Sequence, residues 1–154
     1  MGAYLTEEVL AKFPHKQLPR CDGEPNYEAI HEIMMAMYAN AGAIPTTLGG
    51  GAHGHIRLIM DVTQYATLSG TPYVTPTAPV RGVLPTRATL VDRDVIKQTY
   101  NHEKAIYDNH NTVDEILKTQ LQEAVEDIYL AQLRNHFTAY LGGTTKDMLD
   151  HLLD

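Results

Sequence analysis

The chain has 154 residues, 44% of them hydrophobic and 20% charged, which predicts one folded domain and excludes wholesale disorder. Its net charge of −7 and its lack of a Lys/Arg cluster disfavour nucleic-acid binding by this segment. Cys21 is the single cysteine, so an internal disulfide and a cysteine-based zinc knuckle are both excluded.

The first third of the chain predicts two helices. "TEEVLAKFP" is typical of a short helix that Thr6 caps and Pro14 ends. "PNYEAIHEIMMAMYANAG" carries apolar residues at three- and four-residue steps, with Asn26 as the predicted cap and Gly42 as the stop. The residues up to 25 are interpreted as an N-terminal helix and loop, and 26–154 as the main helical domain.

The middle of the chain combines a glycine-rich joint with a proline-rich loop. "LGGGAHGHIRLIM" leads into two short helices, the second capped by Asp61 and ended by Gly70. Four prolines between positions 72 and 85 forbid both a helix and a central strand, so 71–85 is predicted to be an extended surface loop. This loop is expected to expose Tyr73 and Val74.

From Thr86 onward the pattern is helical. An imperfect amphipathic helix is followed by a cleaner one, with Asn111 or Thr112 as a fresh cap and a further break near Tyr129. Thr144 and Asp147 resemble a capping box for the last helix. The fold class is therefore all-α with about six helices. Because the last apolar face reaches the final residues, the chain is interpreted as the N-terminal part of a longer polypeptide.

No motif of the sequence predicts an enzyme. The three glycines before His53 lack the Lys-Ser/Thr of a phosphate loop. His53 and His55 are the candidate metal ligands, but in an extended segment they point to opposite sides, and no Asp, Glu or Cys lies close in sequence. The favoured interpretation makes "GGGAHGH" a backbone joint whose glycines supply positive φ and close approach.

Taken together, "GGGAHGHI", "TPYVTPTAPV" and the closing "EAVEDIYLAQLRNHFTAYLGGTTKDMLDHLLD" resemble Gag-like proteins of copia-type LTR retrotransposons, including those of diatoms and other algae. The resemblance runs from about Gly23 to Asp154. It implies a helical capsid domain of structural, non-enzymatic function. It also implies a cytoplasmic homo-oligomer without a cofactor, with no membrane partner and with RNA bound only through regions outside this chain. The chain has no Trp and no zinc knuckle, which departs from many such proteins.

Self-association would need adaptable apolar surfaces, which methionines suit. The candidate contact residues are Met35, Tyr73, Val74, Met148 and Leu152. Two alternatives stay open. One is a metal-binding protein or metal-dependent enzyme using His53 and His55, with His102 or His110 as further groups. The other is an adaptor for a protein or RNA partner, where the acidic charge favours a basic protein.

Overall fold

A computed structural model describes residues 2–51, 53–126 and 144–153. Within these residues the structure is all-α, as predicted, and has no strand. The α-helices are α1 (Gly2–Lys12), α2 (Tyr27–Gly42), α3 (Val62–Ser69), α4 (Leu90–Ala124) and α5 (Thr145–Leu153). Two three-residue 3₁₀ turns, Leu48–Gly50 and Ile56–Leu58, lie between α2 and α3.

Local capping sets several of these boundaries where the sequence predicted them. The side chain of Asn26 accepts a hydrogen bond from Ala29 N at 2.9 Å and starts α2. Asp61 caps α3, which ends at Gly70 with a left-handed φ of 74°. The predicted capping box of α5 is also present, since Thr144 and Asp147 each accept the other's backbone N–H at 3.1 Å. Helix α1 begins at Gly2, four residues before the predicted cap at Thr6.

Helix α4 corrects the predicted break at Asn111 or Thr112, because it runs unbroken for 35 residues and about 50 Å. No glycine or proline occurs between Leu90 and Ala124, and the mid-helix asparagine costs only tenths of a kcal/mol. The helix begins at a capping box formed by Thr89 and Asp92. It ends at Ala124, before the predicted break near Tyr129, which lies outside the described residues together with the rest of 127–143.

One apolar core joins α1, α2, α5 and the second half of α4. Helix α1 contributes to the same core as the residues after position 25. The following residues are among those that form this core: Val9, Phe13, Ile30, Ile33, Met37, Val113, Leu117, Leu121, Met148 and Leu149. The loop after α1 is bonded to the end of α4, where Cys21 N donates to Ala124 O at 2.7 Å.

A buried amide network crosses this core. Asn40 is fully buried, and its Oδ1 accepts from His15 N at 2.9 Å. Its Nδ2 donates to His15 O at 3.0 Å and to Gln120 Oε1 at 3.1 Å. Gln120 Nε2 donates in turn to the backbone carbonyls of His15 and Lys16, each at 3.2 Å. The network fixes the loop after α1 against both α2 and α4.

Candidate functional site

The glycine-rich segment is a backbone joint, as predicted. Gly49, Gly50, Gly51 and Gly54 all have φ between 56° and 85°. A Cβ at Gly54 would lie 2.7 Å from Gly42 O and 2.9 Å from Ala41 O, and a Cβ at Gly49 would collide with the ring of Tyr65. Only glycine permits both the conformation and the close approach. The chain therefore turns tightly here and delivers His55 into the interior.

His55 is fully buried, and its backbone N–H donates to Ala41 O at 2.9 Å. Its Nδ1 lies 2.8 Å from Ile44 O, and a carbonyl can only accept, so Nδ1 carries the proton and donates. The neutral ring then presents a bare lone pair at Nε2, for which the described residues offer no hydrogen-bond donor. Burial lowers the pKa of His55 to about 4.

His110 and Tyr73 stand next to this ring. The His110 ring centroid lies 6.4 Å from that of His55, and the Tyr73 hydroxyl lies 2.6 Å from His110 Nδ1. Tyr73 is only 5% exposed, so the expectation that the proline-rich loop exposes it is wrong. The Tyr73 ring packs against the rings of Tyr65 and His110, and its hydroxyl has a buried hydrogen-bond partner. These contacts favour burial of the side chain over its exposure to water.

Tyr65 completes what we call the His–Tyr cluster: His55, Tyr65, Tyr73 and His110. The Tyr65 ring meets that of Tyr73 edge to face at 5.5 Å, and its hydroxyl donates to Gly49 O at 3.1 Å. The cluster thus ties the glycine joint, α3, the proline-rich loop and α4 to one another. His53 is left out of the cluster because its ring is only half-buried, although its centroid lies 6.3 Å from that of Tyr65.

The electrostatics of the cluster favour neutral groups. Burial lowers the pKa of His110, although the nearby Asp114 opposes the effect, and burial raises the pKa of Tyr73. Arg57 lies close enough to lower the pKa of both, and its Nη1 donates to Met60 O at 3.3 Å while its Nε has no described partner. The described residues bring no three or more His, Cys, Asp or Glu side chains into a metal-holding group. The His–Tyr cluster is suited to holding the glycine joint, α3, the proline-rich loop and α4 together.

The predicted contact residues are divided between core and surface. Met35 and Val74 are exposed. Met148 is 1% exposed and lies in the core, so this structure offers no surface at that residue. Leu152 is half-buried and packs against the core.

The first half of α4 and the loop before it form an exposed arm, which we define as residues 79–97. In the fully described stretch 74–109 no residue is buried, and the buried residues of α4 begin only at His110. The loop lies along the helix: a Cβ added to Gly82 would lie 3.6 Å from side-chain atoms of Ile96, and the Arg81 guanidinium is 5.3 Å from the centre of the Tyr100 ring. Large aliphatic side chains of the arm remain exposed: Val80, Val83, Leu84, Leu90, Val91 and Val95.

A groove of about 270 Å³ lies between α1 and the second half of α4. Its apolar floor includes Leu10 and Ile116, and its rim includes the exposed Glu115 and Glu123. Lys16 also lines it, but its ammonium donates to carbonyls at the end of α1, among them Leu10 O at 2.7 Å. Neither the arm nor the groove was predicted from the sequence, because the exposure of the arm depends on where the rest of the chain packs and the groove is lined by residues from two distant segments.

None of the helices in 2–51, 53–126 and 144–153 combines the length and the apolar character of a membrane span. Comparison of the chain with protein-family models, with curated proteins and with solved structures finds no match in any of the three. The resemblance to copia-type Gag proteins therefore stays a prediction from the sequence motifs.

Proposed function

We propose that this chain is a non-enzymatic structural protein, a Gag-like capsid domain of a copia-type LTR retrotransposon, whose copies self-associate in the cytoplasm. RNA is bound by regions outside this chain, and no cofactor is required. The proposal joins the sequence resemblance to one structural observation, the exposed apolar arm.

The arm carries the proposal because it exposes aliphatic side chains both on the first turns of α4 and on the loop that lies along them. Val83 is 94% exposed and Leu90 is 76% exposed. Several large aliphatic side chains left exposed within one segment are typical of an interaction site in a soluble protein. A capping box fixes the start of α4, so the helical part of the arm has a defined geometry.

The test is the mass of the protein by light scattering behind size exclusion, over a wide range of protein concentration and salt, with electron microscopy of the same fractions. We expect mass to rise with concentration and the fractions to contain rings, shells or filaments. A strict monomer at the highest concentration would overturn the proposal.

A metal-binding protein is the second candidate, and the unpaired Nε2 of His55 favours it. The histidine ring nearest to that of His55 is the ring of His110, with a centroid separation of 6.4 Å, whereas the His53 ring contacts Tyr65. Zn²⁺ binding would therefore use His55 with His110. Equilibrium dialysis with Zn²⁺ tests this candidate: stoichiometric binding that His110→Ala abolishes would support it, and equal retention by wild type and variant would reject it.

A further inference from the structure

Charge is distributed unevenly between the arm and the rest of the chain. Residues 79–97 hold four of the basic residues and two of the acidic ones, a net charge of +2. The remainder of the chain has eight basic and seventeen acidic residues, a net charge of −9. A basic, apolar arm on an acidic protein is electrostatically matched to another copy of the same protein.

The groove between α1 and α4 has the complementary character. Glu115, Thr119 and Glu123 lie four residues apart along one stripe of α4, so both carboxylates stand over the apolar floor formed by Leu10 and Ile116. Neither carboxylate takes part in the ion pairs found among the described residues. On the arm, Arg93 and Lys97 are likewise four residues apart on the exposed helix.

The arm cannot reach the groove of its own chain. Val95 and Ile116 belong to the same unbroken helix, and the 21 residues between them span roughly 30 Å. A continuous α-helix does not fold back on itself over such a distance without a break. An arm that occupies the groove must therefore come from another molecule.

We propose that the arm of one copy docks in the α1–α4 groove of a second copy, with its aliphatic side chains on Leu10 and Ile116 and with Arg93 and Lys97 against Glu115 and Glu123. This inference rests on the proposed self-association and names its interface. Because donor and acceptor are different surfaces, the contact is heterologous and repeats from copy to copy. It generates rings when the rotation closes and filaments when it does not.

Charge reversal on each side of the contact tests the inference. The arm variant is R93E/K97E and the groove variant is E115K/E123K. The control matched to the groove variant is E28K/E32K, which makes the same two Glu-to-Lys changes on exposed residues of α2, away from the groove. Circular dichroism establishes that each variant keeps its helix content. Light scattering then gives the apparent Kd of association for each protein alone and for the arm and groove variants mixed in equal amounts.

We expect each of the two interface variants to raise the apparent Kd by about tenfold or more, and the control to leave it near the wild-type value. The mixture should associate again, with arm and groove variants alternating, because every contact between unlike variants then joins opposite charges. If the wild type self-associates while the interface variants do so equally well, or if mixing restores nothing, this interface is wrong and the proposed function survives. A monomeric wild type would overturn both.

Discussion

The hydroxyl of Tyr73 lies 2.6 Å from Nδ1 of His110, in a site where both side chains are buried. This hydrogen bond joins the proline-rich loop to the middle of α4 across 37 residues of sequence. It marks the point where α4 leaves the core, since no residue of 74–109 is buried. The bond therefore ties the proline-rich loop to α4 at the first buried residue of that helix.

Tyr73→Phe is expected to destabilise the protein by about 1–2 kcal/mol, because it removes the hydroxyl and leaves a buried imidazole nitrogen without its partner. The free energy of unfolding from urea denaturation measures the change. Tyr27→Phe is the matched control, since Tyr27 is largely exposed. Equal stability of the two variants would show that the bond contributes nothing.

Acid should weaken the fold through His55. Its pKa is lowered from 6.5 to about 4 by burial, so between these values the unfolded chain binds a proton that the folded chain does not. Stability from this group is complete above pH 6.5 and is lost as the pH falls toward 4, by roughly 2 kcal/mol at about pH 5. The charged group that acts on His55 directly is His110, which lowers the pKa of His55 further, while Asp114 raises and Arg57 lowers the pKa of His110.

Urea denaturation of wild type and His55→Asn at pH 7.5 and at about pH 5 isolates this effect. The asparagine amide can still donate to Ile44 O but does not titrate, so the variant should lose less stability on acidification. Carboxylates are common to both proteins and cancel. Parallel losses in the two proteins would refute the assignment to His55.

Gly54→Ala is expected to lower the free energy of unfolding by more than about 2 kcal/mol. Alanine would be strained in the left-handed conformation, and its Cβ would also collide with backbone oxygens. The Cβ would lie 2.7 Å from Gly42 O, and backbone cannot move aside as a flexible side chain can. Gly70→Ala is the control, with φ of 74° but nothing within 4 Å, and should cost about 1 kcal/mol. Thermal or urea unfolding gives both values. Similar costs would mean that the joint is not closely packed.

Asn40 and Gln120 are expected to be energetically coupled. Asn40→Ala removes bonds to both backbone groups of His15 in a fully buried site and should cost about 3 kcal/mol. In a double-mutant cycle with Gln120→Ala, the coupling should be about 1 kcal/mol or more. Asn101→Ala is the control, because Asn101 is an exposed residue in the first half of α4. Strictly additive losses would show that the two amides act independently.

Elements defined by short-range bonds could be predicted from the sequence. The start of α2 at Asn26, the span of α3 from Asp61 to Gly70 and the capping box of Thr144 with Asp147 each depend on groups at most four residues apart, or on one glycine φ. The glycine joint was predictable for the same reason. The sequence misled at Asn111, where a good capping residue was interpreted as a helix start although no glycine or proline interrupts the helix there.

The candidate site depends on distances that no local pattern encodes. Tyr73 was expected on the surface because prolines surround it, yet His110 offers a buried partner 37 residues away. His53 and His55 were weighed as a pair, but the turn at Gly54 sends only His55 into the interior.

By itself the sequence determined the all-α class, both ends of α2 and α3, the start of α5 and the glycines of the joint, because backbone hydrogen bonds and φ preferences act over a few residues. Only the tertiary structure decided which apolar side chains are core and which remain exposed, as the contrast between buried Met148 and exposed Val91 shows. Both lie on amphipathic helices. Burial depends on where the rest of the chain packs, and that is a property of the whole fold.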